Sequence, residues 1–235
     1  MKFFAKATAK RGEMYLYDEI GGGFFSEGIT ASSVQEALAT MKGLDGVDVY
    51  INSPGGAVFE GVTIYNQLKR FAGQKTVHID GLAASIASII AMAGDEICMA
   101  ENAMMMIHDP YGFAMGTSDD MRKQADAMDQ VRGTLVNTYV ARTKGDEKAI
   151  SGWMAAETWM DAKQSVERGF ADKITADRTV EASVGGMKLL AKYRNAPERF
   201  MKPQAATPLH AKLAHMDMAT RRLREQVPGA GPHKA

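Results

Sequence analysis

The sequence predicts an α/β fold with a largely parallel sheet, and three observations predict it. Short β-like runs alternate with helix-like runs through most of the chain, which is the pattern of βαβ units. Glycine-containing turns separate several of these runs, among them Gly21-Gly22-Gly23 and Pro54-Gly55-Gly56. A hydrophobic content of 46% and a charged content of 24% are ordinary for a soluble globular chain, and 235 residues suffice for one large or two small domains.

In chain order, Glu13–Ile20 alternates and carries aromatic and β-branched residues, so it reads as the first strand. Thr30 or Ser32–Ser33 can cap a helix to about Met41, with Val34, Ala37, Leu38 and Met41 on one face. Val47–Asn52 is a second strand, followed by the turn Ser53–Gly56 and a helix over about Ala57–Phe71. Thr76–Asp80 is a third strand, followed by a small-residue helix over about Ala84–Ala93. Glu96–Met99 and Met104–Ile107 are short strands around the turn Ala100–Ala103. Ser118 caps a long helix to about Arg142, in which Met121, Ala125, Met128, Val131, Leu135 and Tyr139 form a stripe suited to a core or a subunit interface. Helices over about 147–155 and 162–168 follow, the second stopped by Gly169, and a last strand lies near 171–174.

Formal charge sums to zero, so the chain as a whole makes no electrostatic case for nucleic acid or membrane. The distribution is uneven. Residues 187–235 carry ten Lys/Arg against three Asp/Glu, while residues 1–186 carry eighteen against twenty-five. The expected organisation is therefore a body over 1–186 and a basic, proline-containing tail over 187–235 that is flexible or orders against a partner. Leu209, Leu213, Met216 and Leu223 allow one amphipathic helix within it. Any nucleic-acid contact would fall to this tail. The single cysteine, Cys98, rules out an internal disulfide and a Cys-based zinc site. No metal-ligand spacing and no nucleotide-binding motif occurs, so no cofactor is expected. Met1–Lys6 turns polar at once, and the apolar run at Gly81–Gly94 is too short for a bilayer of ~30 Å, so a cytoplasmic protein is expected.

The chemistry gathers at strand ends, where open α/β sheets bind ligands. Ser85 stands at a strand-to-helix junction, where helix N–H groups favour developing negative charge. A serine hydroxyl needs a base, and imidazole titrates in the right range. Of five histidines, His210, His215 and His233 lie in the tail and His78 lies inside a strand; His108, leaving a strand before Pro110, is the best-placed base. Gly56, after the second strand, and Ile86, beside the serine, are candidate oxyanion N–H donors.

Three motifs stand in order: Ser53-Pro54-Gly55-Gly56, Gly81-Leu82-Ala83-Ala84-Ser85 and Met106-Ile107-His108-Asp109-Pro110. Together they resemble the Clp protease proteolytic subunit family, the serine peptidases called ClpP, over about Tyr15–Ile174. Glu19–Phe25 and Ala156–Met160 most resemble the phage-encoded, ClpP-related head maturation branch. The resemblance implies a ClpP/crotonase-type spiral of βαβ units with a protruding helical handle, here about 118–142. It implies Ser85 as nucleophile, His108 as general base, and Gly56 and Ile86 as oxyanion donors. For the third triad member it implies Glu157, with Asp161 and Asp109 as alternatives.

It further implies a homo-oligomer, as a heptameric ring or double ring, acting on protein or peptide substrates. On the head-maturation branch these would be capsid and scaffold proteins, in the host cytoplasm or an assembling virion. The alternative is a bacterial ClpP-type subunit working with a separate ATP-dependent unfoldase. Two other readings share the fold: an acyl-CoA hydratase or isomerase, which would leave the Ser/His pair unused, and a non-catalytic assembly protein. A Ser-Lys peptidase lacks a lysine near the serine motif and leaves His108 unexplained.

Overall fold

The computed structural model describes residues 3–8, 10–22, 28–176, 190 and 193–197. The tail beyond Pro197, with its expected amphipathic helix, lies outside the described residues. The first strands are β1 (Phe3–Ala7) and β2 (Arg11–Leu16), followed by α1 (Ala31–Thr40), β3 (Gly46–Ser53), α2 (Val58–Arg70), β4 (Gln74–Ala84) and α3 (Ile86–Ala91). Then come β5 (Glu96–Ala100), β6 (Met104–Ile107), α4 (Ser118–Arg142), α5 (Glu147–Ala155), β7 (Thr158–Asp161), α6 (Ala162–Glu167) and β8 (Lys173–Thr175).

The sheet runs β1-β2-β3-β4-β5-β8, with β1 antiparallel to β2 and every later neighbour parallel. Its central strand forks. The first half of β4 pairs with β5, from Thr76 opposite Glu96 to Ile79 opposite Met99, and the second half pairs with β6, from Leu82 opposite Met104 to Ala84 opposite Met106. β7 then adds antiparallel to β6. At the fork the backbone of Gly81 runs close to the Asn52 side chain: a Cβ there would lie 2.8 Å from Asn52 Oδ1, which would have to move aside.

Val77, Ile79, Val49 and Ile51 are buried in the central strands, as expected of parallel strands covered on both faces. All six residues of α3 are buried, five of them apolar, so this helix is enclosed on every side and owes its position to packing. Gly61 lets α2 come close to it: a Cβ there would sit 2.2 Å from Ile86 Cγ1. Each fully buried Ile or Leu contributes about 1.5–3 kcal/mol, so the strand that carries Ser85 stands in the most strongly held part of the molecule.

Thr30 caps α1 by accepting from the Ser33 amide at 3.2 Å. The cap of α4 is Thr117, one residue before the expected Ser118, because Thr117 and Asp120 form a reciprocal capping box. Only Leu135, Val136 and Tyr139 of α4 are buried, and residues 118–127 are exposed throughout, so the apolar stripe is core at one end and bare at the other. No described helix is long and apolar enough to cross a membrane.

Candidate active site

Parallel pairing places three strand ends side by side. Ser53 of β3 is opposite Ala83 of β4, and Ala84 is opposite Met106 of β6. Ser85 and His108 therefore leave adjacent strands at nearly the same level, and the Ser85 amide continues the ladder by donating to the Met106 carbonyl at 2.9 Å. The result is a hydrogen bond of 2.8 Å between Ser85 Oγ and His108 Nε2.

Ser85 has φ 55° and ψ −128°, a conformation that costs a non-glycine residue about 1–3 kcal/mol. The surroundings hold it there. Its carbonyl accepts from the Ser88 amide at 3.0 Å and from Ser88 Oγ at 2.5 Å. Ser88 Oγ in turn lies 2.8 Å from the buried Tyr139 hydroxyl, so the base of α4 braces the serine through one intermediate. Burial pushes the Tyr139 phenol up, which keeps it a neutral hydrogen-bonding group.

The turn after β3 fits under this junction. A Cβ on Gly55 would lie 2.7 Å from Ser85 Cβ and 2.6 Å from the Ala84 carbonyl oxygen. Gly56 has φ 150°, and a Cβ on it would lie 2.0 Å from the Ile20 carbonyl oxygen. Ile20 pairs here through its amide, donating to Gly55 O at 2.8 Å, and its carbonyl, accepting from the Ala57 amide at 2.8 Å. Those bonds leave the Gly56 N–H out of the bridge. Gly56, Ser85 and His108 line one cleft of about 240 Å³, together with Glu19 and Tyr111. A larger cleft of about 700 Å³ between α1 and α2 lies away from this pair and is lined by residues such as Leu38, Lys42, Arg70 and Phe71.

Register also brings Glu157 to the site. Thr158 of β7 is opposite Ile107 of β6 in the last rung of an antiparallel ladder, and Glu157 and His108 each lie one residue beyond that rung. Glu157 has φ 49° and is 5% exposed. Its carboxylate accepts from the Asn195 amide at 2.6 Å, the Arg194 amide at 3.0 Å and the Trp159 indole at 3.4 Å. The two other carboxylates considered for the triad have structural partners. Asp161 caps α6 through the Gln164 amide at 2.8 Å, and Asp109 pairs with Arg132 Nε at 2.6 Å. His78 stacks on Tyr50 and lies 3.3 Å from Asp48, away from the serine.

Sequence reasoning missed Tyr193. Its ring meets His108 edge-on at 5.2 Å and Trp159 at 6.0 Å, and its hydroxyl donates to the Pro54 carbonyl at 2.6 Å. Burial raises its phenol pKa, and a hydrogen bond with Ser85 opposes the shift. The signal was local in the sequence: apolar residues Leu189, Leu190 and Tyr193 stand close together in a stretch set apart by its charge. Among the described residues no group of three His, Cys, Asp or Glu side chains is placed to hold a metal ion.

A protein-family model described as Clp protease matches residues 7–178. The ATP-dependent Clp protease proteolytic subunit 1 of Protochlamydia amoebophila is 32% identical over 161 residues, 64% of this chain and 78% of that protein. The corresponding subunit of Bacteroides thetaiotaomicron is 27% identical over 150 residues, 62% of this chain and 68% of the relative. Among solved structures, a point mutant of ClpP1 from Listeria monocytogenes superposes with a TM-score of 0.62 at 22% identity, covering 71% of this chain and 92% of its own. That likeness supports the fold.

Proposed function

This chain belongs to the Clp protease family, and from that premise we propose that it is a serine endopeptidase working through Ser85 and His108. The observation that carries the reading is the 2.8 Å contact between Ser85 Oγ and His108 Nε2. With the proton on Nδ1, Nε2 accepts the serine proton as Oγ attacks the carbonyl carbon of a peptide bond. The tetrahedral intermediate places its oxyanion toward the Gly56 and Ile86 amides. His108 then delivers its proton to the leaving amine, and the acyl-enzyme is released by water activated at the same nitrogen. Glu157, like His108 one residue beyond the last rung between β6 and β7, is the acid we assign to orient the imidazole. The test is labelling of the purified protein with a fluorophosphonate, read by peptide mapping. One adduct on Ser85, lost in Ser85→Ala and slowed by at least about a hundredfold in His108→Ala, is expected. No adduct in the parent protein would remove the peptidase reading and leave a non-catalytic assembly protein on the same fold.

For its biological role we propose processing of capsid and scaffold proteins during head assembly. The support is the resemblance of Glu19–Phe25 and Ala156–Met160 to the phage branch, with the basic stretch 187–235 as a segment able to engage an assembling particle. A second reading, a proteolytic subunit served by a separate ATPase, is favoured by the likeness to bacterial subunits of ATP-dependent Clp proteases. Degradation of an unfolded protein that requires an added Clp ATPase and ATP would select the second; cleavage of folded capsid precursors without ATP would select the first. Association into rings accords with the bare apolar side chains ahead of and within α4: Phe113 is 89% and Met115 86% exposed, and Met121 is also exposed.

A further inference from the structure

The cleft that holds Ser85 and His108 carries on its wall a charged group that the proposed chemistry leaves unused. Among the described residues Glu19 is the one acidic side chain that lines it, and no lysine or arginine lines it. The backbone of Glu19 is fixed against the turn of Gly55 and Gly56. Its carbonyl accepts from the Ile29 amide at 2.8 Å, and the next residue, Ile20, bridges to Gly56 and donates to the Gly55 carbonyl at 2.8 Å. Among the described residues no lysine or arginine pairs with the Glu19 carboxylate. Burial chiefly raises the Tyr193 phenol pKa, and the charges of Glu157 and Glu19 add to it, so the field of Glu19 is felt at the ring packed against His108. The remaining wall is Ala57, Val58, Pro110 and Tyr111, apolar but for one hydroxyl. At about 240 Å³ the cleft is below the ~300–1,000 Å³ of small-molecule sites, and its scale is that of one side chain.

We propose that Glu19 is a specificity-determining residue, and that the peptides this cleft takes carry a lysine or arginine beside the bond to be cut. The proposal deepens the peptidase reading and rests on it. Both side chains join a long apolar stem to a cationic head. The stem lies along Ala57, Val58, Pro110 and Tyr111, and the ammonium or guanidinium comes to the Glu19 carboxylate. Glu19 stands one residue from the bridge between Ile20 and Gly56, so the substrate's cation and its scissile carbonyl are both gauged from the same bridge. A glutamate or aspartate in the same place meets a like charge in a small cleft and is rejected. The body of the chain acts in the same direction. Residues 1–186 carry eighteen basic against twenty-five acidic side chains, a balance that draws cationic segments toward it.

The test uses three quenched-fluorescent peptides that differ at one central position, which holds lysine, its uncharged counterpart norleucine, or glutamate. They are given to the full chain, to Glu19→Gln and to Glu19→Lys, and the cut bond is mapped by mass. In the parent, kcat/KM for the lysine peptide should exceed that for norleucine by about tenfold, with the cut beside the lysine and the glutamate peptide slowest. In Glu19→Gln the ratio of lysine to norleucine should fall to near one, and in Glu19→Lys the glutamate peptide should overtake the lysine peptide. Equal cleavage of lysine and norleucine peptides by the parent, or a ratio that Glu19→Gln does not move, would overturn the proposal and leave Ser85 a nucleophile. A loss in Glu19→Gln shared equally by all three peptides would also overturn it, marking Glu19 as a partner of the reacting groups and not of the substrate. If no peptide is cut, fluorophosphonate labelling of Ser85 decides the peptidase reading, and binding of the same peptides, read by fluorescence anisotropy, decides the role of Glu19. Tighter binding of the lysine peptide that Glu19→Gln abolishes keeps the proposal, and equal binding removes it.

Discussion

Replacing Gly56 by alanine tests the site where its geometry is tightest. The new Cβ would meet the Ile20 carbonyl oxygen at 2.0 Å, and φ is 150°, outside the range of ordinary L residues. Neither can be relieved by a side-chain rotation, because the obstructing atom is backbone. The Ile20 bridge must open, which loses two hydrogen bonds of 2.8 Å at about 1 kcal/mol each, and the dihedral adds about 1–3 kcal/mol. The expected destabilisation is about 3–5 kcal/mol, measured by urea unfolding at equilibrium. Under conditions where the variant is still folded, fluorophosphonate labelling of Ser85 should fall about a hundredfold or more, the usual effect of losing one oxyanion donor. Gly43→Ala is the control. Its φ is 86°, but nothing lies within 4 Å of the new Cβ, so it should lose only the dihedral cost and label normally. If Gly56→Ala unfolds at the parental urea concentration and labels at the parental rate, both the close approach to Ile20 and the oxyanion role are wrong.

Tyr139→Phe removes the hydroxyl that holds Ser88 and through it the Ser85 carbonyl; about 1–2 kcal/mol of stability should be lost, with a smaller drop in labelling than in His108→Ala. Asp48 is pushed up by burial, but hydrogen bonds from Arg11 and His78 outweigh this and hold its carboxyl below the ordinary 3.8. A lowered folded-state pKa contributes stability that is present above the unfolded value and lost as pH falls through the folded one. Asp48→Asn should therefore cost about 1 kcal/mol near neutrality in thermal melts, and the gap to the parent should close below about pH 4. Replacing Phe113 and Met115 together by serine should leave the melting temperature of the unassociated chain unchanged and weaken self-association in sedimentation, because both side chains are bare in the single chain.

The sequence analysis anticipated the alternation of strands and helices, because long apolar runs bounded by glycine survive any tertiary context. It read Glu13–Ile20 as the first strand, and β1 at Phe3–Ala7 went unseen: as an edge strand it shows inward residues only at alternate positions, and Lys6 makes it look like a polar terminus. The third strand was ended at Asp80, since Gly-Leu-Ala-Ala reads as the start of a helix; pairing with Met104–Met106 carries the strand on to Ala84. β7 is four residues long and borders the Glu157 motif, too short for a period to register. Ser85, His108 and Gly56 could be named as candidates because each stands in a short motif after a strand-like run, and the structure brings the first two within 2.8 Å of each other. The contacts of Tyr193 with His108 and Trp159 were not legible, because they depend on an antiparallel addition and on a return of the chain from over thirty residues away.

The fork in β4 has a consequence for what variation the site tolerates. Ser85 and His108 are each set by counting along a strand, one residue past Ala84 and two past Met106, from rungs that are buried and apolar. A slip of one rung between β4 and β6 would turn those side chains to the opposite face and carry serine and imidazole apart together. The spacing of the serine and the imidazole is thus guarded by the buried rungs behind them. Drift at Leu82, Met104 or Met105 would be filtered as strictly as drift at the pair itself, for a different reason.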